Sequence, residues 1–193
     1  DLYAPAEDTV RFRGPAVVVN DVELPGVAVP SRREGEETAI PLRALALYAR
    51  VTGNPQGKAA AERAAEIFLK RRLYLRQGDG QPIHPEFKML HTPIYWHYDI
   101  LWGLKVMAEA GFIGDGRCST ALDLLESMRL QGGGYPAHKK LYHAAAAGKV
   151  MPMDERVSGY SLVGWGATGG TRMNEFVTVD ALYVLKQAGR WQA

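Results

Sequence analysis

From Thr38 onward, apolar residues recur at three- and four-residue spacing, which is the period of amphipathic α-helices. Glycine, proline and asparagine interrupt this pattern at intervals and mark helix ends. The clearest start is Thr92, a favoured N-cap followed by proline, and the clearest end is Gly111. The pattern predicts five helices, at about 38–52, 57–76, 92–110, 119–130 and 175–188.

Residues 1–37 show a different pattern. Short β-branched runs at 10–13, 16–19 and 27–29 are separated by pairs of turn-forming residues. Such runs between turn residues favour short strands or an extended arm. We therefore divide the chain into a β-like N-terminal arm, 1–37, and a helical domain, 38–193.

The first, third and fifth predicted helices share a pattern, since each is apolar around most of its circumference and ends at a glycine, Gly53, Gly111 or Gly189. The second and fourth helices carry a polar face, and both are followed by a Gln-Gly-x-Gly motif. This alternation predicts a helix-pair repeat with inner and outer helices. Such pairs stack on neighbours because one pair cannot bury its apolar faces alone. Five helices would form only part of a closed ring.

A distinctive run opens the third predicted helix, where Leu90-His91-Thr92-Pro93 is followed by Tyr95-Trp96-His97-Tyr98-Asp99. With the helix-pair repeat, these residues resemble bacterial squalene-cyclase-like proteins of the terpenoid cyclase and protein prenyltransferase α/α-toroid superfamily. The resemblance covers about residues 38–189. It implies an all-α fold, an α/α toroid that is incomplete here, and a site for an apolar or isoprenoid-like ligand.

The catalytic motifs of that superfamily are missing from the sequence. Cyclases that protonate an alkene use Asp-x-Asp-Asp, and enzymes that ionise a diphosphate use Asp-Asp-x-x-Asp to hold magnesium; neither run occurs here. Zinc-dependent protein prenyltransferases use an Asp-x-Cys pair, whereas Asp115 and Cys118 have the wrong spacing. The resemblance therefore implies a fold and a ligand class, and leaves open whether the chain is an enzyme.

The richest cluster of chemical groups lies around the start of the third predicted helix. His97 and Asp99 are the candidate catalytic pair, because a partly buried histidine beside a carboxylate can act as a general acid or base near neutral pH. The alternative is that the aromatic residues pack in the core and His97 is a hydrogen-bonded core histidine. The candidate ligand-binding residues are His91, Tyr95, Trp96, Tyr98, Trp102, Arg172 and Glu175.

The segment from Gly164 to Gly169 matches the Gly-x-Gly-x-x-Gly pattern of dinucleotide-binding proteins. Its context argues against that function, because the fingerprint needs a strand–turn–helix–strand unit and an acidic residue about 20 positions later. We interpret the segment as a flexible lid or linker. Arg172 and the start of the fifth helix then form a candidate anion site.

The histidines and several carboxylates of the sequence bear on further possible functions. The five histidines lack the i, i+4 spacing of metal ligands and no Cys-x-x-Cys accompanies them, so no metal or cofactor is predicted. Asp154, Glu155 and Glu175 are candidates for a carboxylate pair across a cavity, as sugar-cleaving enzymes require. A carbohydrate lyase or hydrolase is therefore an alternative function, and a non-catalytic interaction scaffold is a third.

The amino-acid composition limits the classes of partner that we expect this chain to bind. The 23 basic and 21 acidic residues are interleaved and give a formal net charge of +2, which provides no electrostatic footprint for nucleic acid. No apolar run approaches the roughly 20 residues of a membrane-spanning helix, and we expect a cytoplasmic protein. The single cysteine, Cys118, is expected to be buried. A second copy of the chain, or an N-terminal segment that precedes Asp1, is expected to complete the ring.

Overall fold

Helices dominate the described part of the chain, as the predicted all-α class requires. The computed structural model describes residues 17–19, 22–24, 34–94, 97–140, 143–144, 160–161 and 163–191. Its α-helices are α1 (Glu34–Thr52), α2 (Pro55–Leu69), α3 (Ile100–Ala110), α4 (Ser119–Ser127) and α5 (Glu175–Gln187). Short 3-10 turns at Pro85–Lys88 and Gly116–Cys118 precede α3 and α4.

The described strands are short and form two pairs. β1 (Val17–Val19) and β2 (Val22–Leu24) make an antiparallel hairpin, and β1 lies within the β-branched run at 16–19, for which short strands or an extended arm are expected. The predicted runs at 10–13 and 27–29 lie outside the described residues. The second, parallel pair joins β3 (His143–Ala144) and β4 (Tyr160–Ser161).

Four helix ends lie where local signals predict them. Gly53, Gly111 and Gly189 follow α1, α3 and α5 with φ of 69°, 84° and 68°, a left-handed conformation that glycine adopts without a Cβ clash. Asn174 caps the start of α5, and its side-chain oxygen accepts a hydrogen bond from the Phe176 amide at 3.1 Å. These ends follow from short-range chemistry.

The predicted start of the third helix at Thr92 is wrong, because α3 begins at Ile100. Asp99 is the N-cap, and its Oδ1 accepts a hydrogen bond from the Trp102 amide at 2.8 Å. The carboxylate thereby satisfies an amide that has no partner within the helix. His97 consequently precedes the helix, and the helical face predicted for it does not exist.

The predicted end of the second helix near residue 76 is also wrong, because α2 ends at Leu69. Arg72 and Leu73 have φ of 44° and 70°, so the backbone turns out of the helix there. The turn buries Leu73, which is 2% exposed, and its amide donates to the Phe68 carbonyl at 2.9 Å. Burial of this leucine compensates for leaving helical geometry.

Helices α1, α3 and α5 lie side by side, with α3 in the middle, in what we call the α1–α3–α5 row. Arg43 of α1 forms an ion pair with Glu109 of α3, and Arg50 donates to the Glu109 carbonyl at 3.2 Å. On the other side of α3, Lys105 donates to Asp180 of α5 at 2.7 Å. Helix α2 packs on α1, and α4 packs on α3.

The core lies where α2 and α4 pack on the row. Cys118, at the start of α4, is fully buried there, and burial raises the pKa of its thiol to about 11. This confirms the predicted buried cysteine, which acts as a small apolar side chain. Small side chains on α2 allow close approach to α1, and those that are buried are Gly57, Ala60, Ala61, Ala64 and Ala65.

Candidate functional site

Tyr98 lies in the core, immediately before α3. It is 4% exposed, and its hydroxyl donates to the Leu73 carbonyl oxygen at 2.9 Å. Its ring contacts those of Phe68 and Phe87, with centroids 6.2 and 4.8 Å away. Burial raises the pKa of the Tyr98 hydroxyl well above its usual range. For Tyr98, these contacts support the core-packing alternative over ligand binding.

Trp102, on the first turn of α3, is only partly buried and faces α1. The guanidinium carbon of Arg43 lies 5.1 Å from the centroid of the indole ring, within the range of a cation–π contact. Arg43 also pairs with Glu109, which lies seven residues after Trp102 and therefore on the same side of α3. These contacts hold the indole at the surface of the row.

On both sides of Trp102, the neighbouring helices expose apolar side chains. Three of them lie along α1, on the side of the helix opposite the buried Leu42. Two more lie near the start of α5, on the side opposite the buried Ala181. Large exposed apolar side chains of this kind are typical of surfaces that bind a ligand or a partner. We call this set of residues on the three helices of the row the free face, and it consists of Ile40, Leu47, Val51, Trp102, Phe176 and Val179.

A buried polar pair lies at the N-terminal end of α3. His91 and Asp99 are 3% and 0% exposed. The Asp99 Oδ2 atom accepts a hydrogen bond from the His91 amide at 2.7 Å and lies 3.2 Å from His91 Nδ1. Because Oδ1 caps α3 through the Trp102 amide, both oxygens of the carboxylate have partners. One aspartate therefore fixes both the start of the helix and the His91 ring.

The contact with Asp99 determines which nitrogen of His91 carries the hydrogen. Since both carboxylate oxygens act as acceptors, Nδ1 is the donor, and in the neutral ring Nε2 then carries the lone pair. Within the described residues, Nε2 is buried and has no hydrogen-bond partner. A buried acceptor left without a partner costs about 1–3 kcal/mol. Packing alone therefore does not explain a histidine at this position.

Two more histidines lie close to this pair. The His97 and His91 ring centroids are 6.4 Å apart. His138 Nδ1 accepts a hydrogen bond from the Leu90 amide at 3.0 Å. Burial lowers the pKa of His138, a charge on His91 would lower it further, and Asp99 acts in the opposite direction. The lowered pKa favours the neutral ring that an accepting nitrogen requires.

Residues 135–138 connect this end of α3 to the start of α5. The His138 amide donates to the Leu90 carbonyl at 2.8 Å, next to His91. Three residues earlier, the Tyr135 carbonyl accepts a hydrogen bond from the amide of Asn174, the N-cap of α5, at 2.8 Å. The His91–Asp99 pair and the first turn of α5 therefore lie at the same end of the row.

The predicted site residues at the start of α5 are separate from the His91–Asp99 pair. Arg172 and Glu175 are exposed, whereas Asn174 is fully buried. The Asn174 side chain accepts from the first amides of α5 and donates to the Trp165 carbonyl at 2.7 Å. An anion would need those same amides, so the candidate anion site at Arg172 lacks its donors. The Trp165 and Phe176 rings meet edge to face at 5.1 Å.

Four predicted residues, Tyr95, Trp96, Asp154 and Glu155, lie outside the described residues, and their roles stay predictions. Across the described ranges, no group of three or more His, Cys, Asp or Glu side chains is arranged to hold a metal ion. None of the helices in those ranges is long and apolar enough to cross a membrane.

No protein-family model, curated protein or solved structure matches this chain. The site is therefore interpreted from its own geometry and chemistry.

Sequence reasoning missed two features of this site. The exposed stripe on α1 has a signal, since Ile40, Leu47 and Val51 follow helical spacing, but an apolar residue on an apolar helix is first assigned to the core. The contact of His138 with Leu90 has no sequence signal, because 48 residues separate the two. Only the folded chain shows that both lie near α3.

Proposed function

We propose that this chain binds an apolar, isoprenoid-like small molecule on the free face of the α1–α3–α5 row. The observation that carries the proposal is the exposure of five large apolar side chains around a partly buried tryptophan. Ile40, Leu47, Val51, Phe176 and Val179 are between 40% and 74% exposed. Apolar ligands are recognised by surfaces of this composition with few polar groups.

The surroundings of Trp102 support a ligand surface. Arg43 covers part of the indole and pairs with Glu109, so the cation and the ring are held without burial in the core. A rigid aromatic side chain loses little conformational entropy when it binds a ligand. Trp102 therefore has the properties of an aromatic anchor in the middle of the free face.

We propose in addition that the α1–α3–α5 row is the inner layer of an incomplete α/α toroid. Helices α2 and α4 then form the outer layer, and the free face is turned toward the lumen. In this proposal, a second copy of the chain completes the enclosure. The side-by-side packing of α1, α3 and α5 supports this arrangement. Sedimentation with and without ligand measures whether copies associate.

Calorimetric titration with farnesol, a fifteen-carbon isoprenoid alcohol, tests the function. We expect binding with a negative heat-capacity change, the signature of apolar burial. The double variant Leu47→Asn/Val179→Asn should raise Kd about tenfold, which corresponds to about 1.4 kcal/mol of lost apolar contact. Met89→Asn is the matched control, because Met89 is 40% exposed but lies outside the free face.

A cello-oligosaccharide serves as the polar comparison ligand. Binding of the oligosaccharide without farnesol would favour the carbohydrate-active alternative and contradict the proposal. Binding of neither ligand would favour a non-catalytic scaffold. Equal loss of farnesol affinity in the Met89→Asn control would show that the free face is not the binding surface.

A further inference from the structure

The His91 ring presents an acceptor that the described fold leaves unused. Asp99 takes the Nδ1 hydrogen, so the Nε2 lone pair points away from that carboxylate. Nε2 is buried and has no hydrogen-bond partner among the described residues. An apolar side chain of similar size would fill the same space without a buried acceptor. The His91 ring therefore offers a hydrogen-bond acceptor for which the described residues supply no donor.

The acceptor is coupled to the free face through Asp99. One oxygen of this carboxylate bonds to the amide of Trp102, which belongs to the free face, and the other bonds to His91. Residues 135–138 hold His91 at the same end of the row as the first turn of α5, which carries Phe176. The acceptor thus lies at the same end of the row as Phe176 and close to the backbone of Trp102.

We propose that Nε2 of His91 accepts a hydrogen bond from the hydroxyl group of the apolar ligand. The inference rests on the proposed function and deepens it, because it specifies an isoprenoid-like alcohol rather than a hydrocarbon, ether or diphosphate. A diphosphate is disfavoured, because its negative charge would lie close to the Asp99 carboxylate, which already contacts the His91 ring. A neutral hydroxyl supplies the missing hydrogen without burying a further charge.

Access to Nε2 requires a side chain to move, because His91 is 3% exposed. His97 is partly exposed, and its ring centroid lies 6.4 Å from that of His91. The inference includes a local movement at this end of α3 that exposes Nε2 to the hydroxyl group.

Farnesol and farnesyl methyl ether test the inference, because they differ in the single hydrogen that the hydroxyl donates. Wild-type protein should bind the alcohol about tenfold more tightly than the ether. In His91→Asn, the amide nitrogen takes the place of Nδ1 beside Asp99 but no acceptor occupies the place of Nε2. This variant should bind the two ligands equally, with the affinity of the wild type for the ether.

A second measurement needs no variant. In protein labelled with ¹⁵N at histidine, farnesol should shift the Nε2 resonance of His91, and farnesyl methyl ether should leave it in place. Equal wild-type affinity for the two ligands, or preference for the alcohol that persists in His91→Asn, would overturn the inference and leave the proposed function standing. Failure of both ligands to bind would overturn the proposed function itself.

Discussion

Tyr98 and Trp102 are aromatic residues four positions apart, yet they have different roles. Tyr98 lies in the core with its hydroxyl on the Leu73 carbonyl and its ring against two phenylalanines. Trp102 lies on the free face, partly exposed beneath Arg43. In one helix, residues four apart would share a face. Because α3 begins only at Ile100, the two side chains leave in different directions.

The difference shows how the two sides of the row are built. On the core side, the Tyr98 hydroxyl has a hydrogen-bond partner and side chains leave little space, as the close approach of Tyr98 to Gly103 demonstrates. On the free face, large apolar side chains remain exposed, and the ion pair of Arg43 with Glu109 lies beside Trp102. Substitutions should therefore affect folding on one side and ligand binding on the other.

The largest expected effect is the contrast between Tyr98→Ala and Trp102→Ala. Tyr98→Ala should lower the free energy of unfolding by about 3–5 kcal/mol, since it leaves a cavity and an unpaired Leu73 carbonyl. Trp102→Ala should lower it by about 1–2 kcal/mol, because its indole is partly exposed already. Urea unfolding measures both. A larger loss for Trp102→Ala would contradict the division of the two sides.

The close approach of Gly103 to Tyr98 sharpens the comparison. A Cβ at Gly103 would overlap the Tyr98 hydroxyl, so Gly103→Ala should lower the free energy of unfolding by about 1–3 kcal/mol despite the better helix propensity of alanine. Gly114→Ala is the matched control, since nothing lies within 4 Å of its added methyl group. If Gly103→Ala left the free energy of unfolding unchanged, the core side would have room for an added methyl group.

The smallest expected effect concerns a charged cluster on the core side. Arg117 donates hydrogen bonds to Asp115 and Glu66, and it holds the pKa of Asp115 at about 2, below the ordinary value of 3.8 for an aspartate. A lowered carboxyl pKa stabilises the folded state above pH 3.8, and this stabilisation is lost as pH falls toward 2. Because solvent screens these partly exposed groups, the stabilisation should amount to less than about 1 kcal/mol.

Arg117→Met tests this pH dependence through urea unfolding at pH 6, 4 and 2.5. The variant should be less stable than the wild type at pH 6, and the difference should shrink as the pH falls. A difference that stays constant would mean that Arg117 contributes by packing rather than by charge. Arg43→Met is the corresponding variant on the free face, because Arg43 also pairs with a carboxylate, that of Glu109, and lies over the Trp102 ring.

Much of the fold was predictable because its signals are local. Glycine stops at Gly53, Gly111 and Gly189 and the asparagine cap of α5 depend on a few neighbouring residues. The start of α3 was not predictable in this way. Thr92 followed by proline has the local signature of a helix start, but Asp99 caps the helix in a buried network with His91 that only the folded chain assembles.

The candidate site was predicted in its members but not in its pairing. His91, Asp99 and Trp102 were identified from the sequence, whereas the histidine that contacts Asp99 was expected to be His97. The eight-residue separation of His91 and Asp99 matches no helical spacing, so periodicity could not indicate the contact. Exposure of the apolar stripe on α1 depends on which side of the helix α2 covers, which is also a property of the folded chain.

Photo-crosslinking can locate the apolar ligand on the folded chain. A farnesol analogue with a diazirine on its chain would be activated in the complex, and the labelled residues identified by mass spectrometry. We expect labels on the free face, at residues 40–51 of α1, at Trp102 and at residues 176–179 of α5, with excess unlabelled farnesol preventing them. Labels confined to α2 or α4, or labels that farnesol does not displace, would contradict it.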